Sequence, residues 1–99
     1  LAGVSYAKKI YVPDDYAAIQ EAINASVEGD TIIVRPETFF ESIDFSGKAI
    51  TLISEKGPEV TIIDGGGLNP VVMCTSSEGP NTVLNGFTIT NGQGVFAGG

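Results

Sequence analysis

The sequence predicts an all-β fold of short strands wound into recurring coils, with one helix near its start. Three observations carry this expectation. Ile, Val and Thr make up 28 of the 99 residues, and Ile is used 11 times against 4 for Leu. Branching at Cβ stiffens a side chain and favours the pleated strand over the helix. Thirteen glycines supply sharp corners. Beyond Gly29, apolar runs of three to five residues alternate with Gly, Pro, Asn, Asp or Ser, and the helical period vanishes.

Taken in order, the chain predicts a strand over 9–12, stopped by Pro13. A helix is expected over 15–27, because Ile19, Ala22, Ile23 and Val27 fall on one apolar stripe. Asp14 or Asp15 is placed to cap it and Gly29 to close it. Strands are then expected over 31–34, 42–45, 50–53, 60–63, 71–74, 82–84 and 87–90, and another starts at Val95-Phe96. Residues 37–39 read as a turn. Matching every third strand pairs 31 with 60, 42 with 71 and 50 with 82; matching every second pairs 31 with 50 and 42 with 60. Either spacing lies in the range of solenoid repeats. Asn85-Gly86 suits a hairpin turn or a bend round a corner of a coil, and the corner is preferred. Ile62 is assigned to an inward column, so Ile62→Asp is expected to unfold or aggregate the chain.

Composition narrows the function classes. Five basic against twelve acidic residues give a formal charge of −7, which argues against nucleic acid or an anionic membrane as partner. No apolar run approaches the ~18 residues of a membrane helix, so no membrane insertion is expected. With no His and a single Cys74, no disulfide framework, Cys-type metal site or cofactor site is expected, and Cys74 reads as a buried, inert thiol. Ser5 and Ala7 stand where a signal peptidase would require small residues, ahead of Lys8-Lys9. Residues 1–8 therefore read either as the remnant of a secretory signal or as an arbitrary N-terminus. The first reading places the protein in an extracellular, periplasmic or cell-surface location. Asn24-Ala25-Ser26 is a formal glycosylation sequon on what is expected to be a polar helix face.

Four segments carry a resemblance. They are Lys9-Ile-Tyr-Val-Pro-Asp-Asp-Tyr-Ala-Ala-Ile-Gln-Glu-Ala-Ile23, Gly29-Asp-Thr-Ile-Ile-Val34, Thr61-Ile-Ile-Asp-Gly65 and Leu84-Asn-Gly-Phe-Thr-Ile-Thr-Asn-Gly92. Together they resemble the N-terminal cap and first coils of right-handed parallel β-helix proteins, the pectin-lyase-like superfamily. The resemblance implies a β-helix module over 9–99 whose amphipathic helix plugs the N-terminal end. Two departures stand out. Where the family often has Pro-Thr this chain has Ala17-Ala18, so Ala18 lacks the oxygen of a capping box and the helix is expected to start at Asp14 or Asp15. Where the family has Gly-Thr-Tyr this chain has Glu37-Thr38-Phe39, which puts strain on the expected turn. The chain stops at Gly99 as a strand begins, so the open end is expected to be covered by missing downstream coils or by another copy in a homo-oligomer.

The superfamily mixes enzymes with non-catalytic adhesins, so activity must be argued from residues. Glycoside hydrolysis needs two carboxyl groups about 5–9.5 Å apart. Asp44 and Asp64 are the acids near strand ends; both read primarily as turn or surface residues, and as candidates for facing a ligand. Asn85 and Asn91 precede corner glycines and could equally meet sugar hydroxyls. Arg35 reads as an edge or salt-bridge residue. Phe39-Phe40 could present a ring for sugar stacking or pack on the helix. No catalytic residue is assigned. The expected function is a non-catalytic extracellular module, structural or carbohydrate-facing, with polysaccharide as partner. The alternatives are the N-terminal fragment of a polysaccharide lyase or glycoside hydrolase, and a self-assembling module stacking through its open end.

Overall fold

A computed structural model describes residues 8–67, 71–74, 82–91 and 96–98. Strand β1 (Lys9–Val12) is followed by helix α1 (Ile19–Ala25). The chain continues through β2 (Thr31–Val34), β3 (Glu37–Phe40), β4 (Ile43–Asp44), β5 (Thr51–Ser54) and β6 (Thr61–Asp64). Last come β7 (Val72–Cys74), β8 (Val83–Asn85), β9 (Thr88–Thr90) and β10 (Phe96–Gly98). Three sheets result, ordered β1-β2-β5-β8, β3-β6-β9 and β4-β7-β10, and every pairing is parallel.

The expected all-β, right-handed parallel β-helix is corrected by this topology. Parallel partners need a crossover connection, and α1 is that connection between β1 and β2, as in a β-α-β unit. The result is a small α/β-like arrangement of one helix and short parallel sheets, each three or four strands wide. No extended solenoid is present among the described residues. A period-2 apolar pattern reports strands and is blind to whether a helix closes a crossover, so the fold class does not follow from it.

Burial follows the alternation of the strands. Ile10, Ile32 and Leu52 stand in register across the first sheet, Phe39 and Ile63 across the second, and Ile43 and Val72 across the third; all point inward and are buried. Phe45 and Ile50 fill the interior beside them. Ile62 faces outward and is half-buried, whereas Ile63 is fully buried. The inward assignment of Ile62 was therefore off by one residue, and one residue reverses the face. The shift came with the boundary: the strand begins at Thr61, not Val60, and Val60 is exposed.

Strand β3 occupies the stretch read as a strained turn. With β3 counted, neither of the two expected matchings holds throughout. Thr31 pairs with Thr51, which follows the every-second matching within one residue, while Ile43 with Val72 and Thr51 with Val83 follow the every-third matching. Asn85-Gly86 is a bend between strands of different sheets, not a hairpin. Gly86 has φ +89, and a Cβ there would meet the Ser54 hydroxyl. Gly86→Ala is expected to cost about 2 kcal/mol or more, through strain and contact together. A denaturation midpoint equal to that of the unaltered protein would refute this.

The helix is shorter than its apolar stripe. It starts at Ile19, not at Asp14 or Asp15, and Val27 lies outside it, half exposed. The early start fails because Asp14 and Asp15 have other partners. Asp14 accepts a hydrogen bond from Arg35 Nε at 2.8 Å. Asp15 closes a turn on β1: Tyr11 N–H donates to its carboxylate (2.9 Å), and Asp15 N–H donates to Tyr11 C=O (2.7 Å). Ala18 sits at the N-cap with no side-chain acceptor to offer, though Glu21 reaches back to its N–H at 3.2 Å. The missing acceptor comes from Glu41, whose carboxylate takes Ile19 N–H at 2.8 Å and Gln20 N–H at 3.1 Å.

At the other end, Lys48 Nζ donates to the carbonyls of Ile23 (2.8 Å), Asn24 (2.9 Å) and Ser26 (2.8 Å). An anion at the N-terminus and a cation at the C-terminus both complement the helix dipole. Buried Asp30 accepts from Lys8 N–H (3.1 Å) and Val27 N–H (3.0 Å), fixing the exit from the helix. Ser26 of the sequon is buried, with its hydroxyl donating to Ile23 C=O at 2.7 Å. The α1 residues pack against β1, β2 and β4.

Candidate functional site on the outer face of the second sheet

Because Phe39 and Ile63 point inward, the alternate residues of β3, β6 and β9 line the outer face. Register places Thr38 beside Ile62 and Ile62 beside Thr88. One step along, Phe40 stands beside Asp64 and Asp64 beside Thr90. Phe40 is 76% exposed, the highest value among the exposed large hydrophobic residues described. An aromatic ring left in water costs hydrophobic free energy, on the order of 2 kcal/mol relative to burial, so its placement calls for explanation.

Asp64 is held rigidly next to this ring. Gly66 N–H donates to its Oδ1 at 2.8 Å, an Asx turn, and Asn91 Nδ2 donates to its Oδ2 at 2.9 Å. Asn91 adopts φ +56, a left-handed conformation that Asn tolerates better than most residues. Gly67 N–H donates to Asn91 C=O at 2.6 Å, which ties this corner to the next turn of chain. Thr88 Oγ1 donates to Pro58 C=O at 2.7 Å on the same side.

The four candidates from the sequence thus divide. Asp64 and Asn91 are brought into direct contact. Asp44 lies in the third sheet, where it closes an Asx turn with Ser46 N–H at 2.8 Å. Its backbone is bracketed by Gln20, which accepts from Asp44 N–H (2.7 Å) and donates to Asp44 C=O (3.0 Å). Asn85 is exposed on β8 in the first sheet. Of the pair Phe39-Phe40, expected to present a ring or to pack on the helix, Phe40 is the exposed one and Phe39 is buried, as their alternation within a strand dictates. Cys74 was expected to be buried, but its side chain lies outside the described residues.

Arg35 organises a different surface. Its guanidinium lies 4.9 Å from the centroid of the Tyr11 ring and bridges Asp14 (2.8 Å) and Glu55 (2.9 Å). The hydrogen bond from Arg35 to Asp14 holds the guanidinium more firmly in its charged form, opposed by a smaller desolvation effect. Tyr11 is therefore covered by a cation, in contrast to the bare ring of Phe40. A shallow concavity of about 340 Å³ beside β1 is lined by Lys8, Lys9, Ile10, Asp15 and Tyr16; Lys8 N–H and the Asp15 carboxylate there are engaged in the turns already described.

Among the described residues, no group of three or more His, Cys, Asp or Glu could hold a metal ion, and no helix is long and apolar enough to cross a membrane. No family model, curated protein or solved structure matches the chain.

Proposed function

We propose that this chain is a non-catalytic, carbohydrate-facing module acting outside the cytoplasm, where polysaccharides are accessible. The observation that carries the proposal is the exposed Phe40 ring set in register beside a fixed Asp64. The C–H face of a pyranose is apolar and stacks on an aromatic ring, while its hydroxyls need polar partners close by. Asp64 offers acceptor lone pairs held in place by Gly66 and Asn91, Thr38 and Thr90 add hydroxyls across the same face, and Thr88 Oγ1, whose proton goes to Pro58 C=O, adds an acceptor. A rigid sheet with a few convergent polar groups loses little entropy on binding.

The non-catalytic part rests on what the carboxylates do. Asp30, Glu41, Asp44 and Asp64 each accept backbone N–H bonds that fix a turn or a helix end. Asp44 and Asp64, the pair an enzyme reading would use, sit in different sheets, each closing its own turn.

Affinity electrophoresis against a panel of soluble polysaccharides tests the proposal. Retardation by at least one glycan is expected, and Phe40→Ala should weaken it at least about tenfold, or about 1.4 kcal/mol, with an unchanged circular dichroism spectrum. Mobility unaffected by every glycan, or unaffected by Phe40→Ala, would reject the platform. Release of reducing ends by the purified chain would reject the non-catalytic assignment.

A further inference from the structure

Resting on the carbohydrate reading of the Phe40 face, we infer that its ligand is an uncharged polysaccharide and that the site discriminates against uronate or sulfated chains. The outward residues of the three strands are Thr38, Phe40, Ile62, Asp64, Thr88 and Thr90, and the one charge among them is the carboxylate of Asp64. Recognition of an anionic sugar normally uses Arg or Lys as a fork or point charge. Of the five basic residues, Arg35 is bound to Asp14 and Glu55, Lys48 to three carbonyls at the end of α1, Lys8 and Lys9 lie at the first sheet, and exposed Lys56 stands between β5 and β6, outside the outward set of β3, β6 and β9. The whole chain carries −7, so the long-range field also opposes an anionic polymer at low ionic strength.

A neutral chain meets none of these obstacles. A hydroxyl donating to Asp64 makes a charge-assisted hydrogen bond, stronger than one to a neutral acceptor. Asp64 keeps lone pairs for it, because a carboxylate has about four acceptor sites and Gly66 and Asn91 take one on each oxygen. From β3 to β9 the face spans two strand spacings, about 10 Å, a width that suits a short run of sugar rings laid across the strands.

Titration calorimetry with uncharged hexasaccharides of glucose, xylose and mannose, against hexagalacturonate, decides the question. At low salt at least one neutral hexasaccharide should bind at least about tenfold more tightly than hexagalacturonate. Asp64→Asn should narrow that gap to a few fold, as should raising the salt concentration. Hexagalacturonate binding as tightly as the best neutral chain would overturn the uncharged-ligand inference and leave the carbohydrate reading standing. An unchanged gap in Asp64→Asn would overturn the role given to Asp64. Heat signals absent for all four ligands would count against the carbohydrate reading itself.

Discussion

Ile63→Asp is expected to abolish folding, while Ile62→Asp, one residue earlier, leaves a folded and soluble protein. Ile63 is fully buried and stands in register between Phe39 and Ile89. A carboxylate there would lose its hydration with no cation nearby, a penalty of several kcal/mol even after relaxation. That is comparable with the whole stability of a small domain, about 5–15 kcal/mol. Ile62 lies on the outer face, so a carboxylate at that position stays in water. Far-ultraviolet circular dichroism and a urea titration of the two variants give the answer. A folded Ile63→Asp beside an unfolded Ile62→Asp would invert the assignment of faces.

Next in size are the two charges that hold α1. Glu41→Ala removes the acceptor for Ile19 and Gln20 N–H, and Lys48→Met removes the donor shared by three carbonyls. Hydrogen bonds to charged groups contribute about 1.5–3 kcal/mol, so each variant should lose about 2 kcal/mol. The helix has seven residues, too few to persist in water without such support. Glu41→Gln should retain part of the stability, since an amide oxygen still accepts. Urea midpoints of the three variants decide this, and a neutral effect of Glu41→Ala would mean that water replaces the carboxylate without cost.

Much of the strand order was legible, and the reasons differ by segment. Lys9–Val12 and Thr31–Val34 match their expected limits because each β-branched run ends at a proline or one residue short of one. Strand β3 was hidden by Glu37 and by the pair Phe39-Phe40, whose opposite faces cannot be told apart from hydrophobicity alone. The helix start was misplaced because its acceptor belongs to Glu41, far along the chain, and no local capping rule reaches that distance. The fold class failed for a related reason: that α1 bridges two parallel strands is a long-range fact. At the candidate site, the corner residues Asp64 and Asn91 were visible as turn formers. Their contact with each other, and the bare ring beside them, depend on register across three strands.

The turn that Asp15 makes on β1 has a consequence for association. Both peptide groups of Tyr11 on the outward side are occupied within the same molecule, and the neighbouring Lys9 adds a charge to that margin. Foreign extended chains, which recruit to bare strand margins, find the ladder interrupted at Tyr11. The first sheet is thus blunted at the β1 margin, where the residue in the middle of the strand offers no free peptide group to an incoming chain.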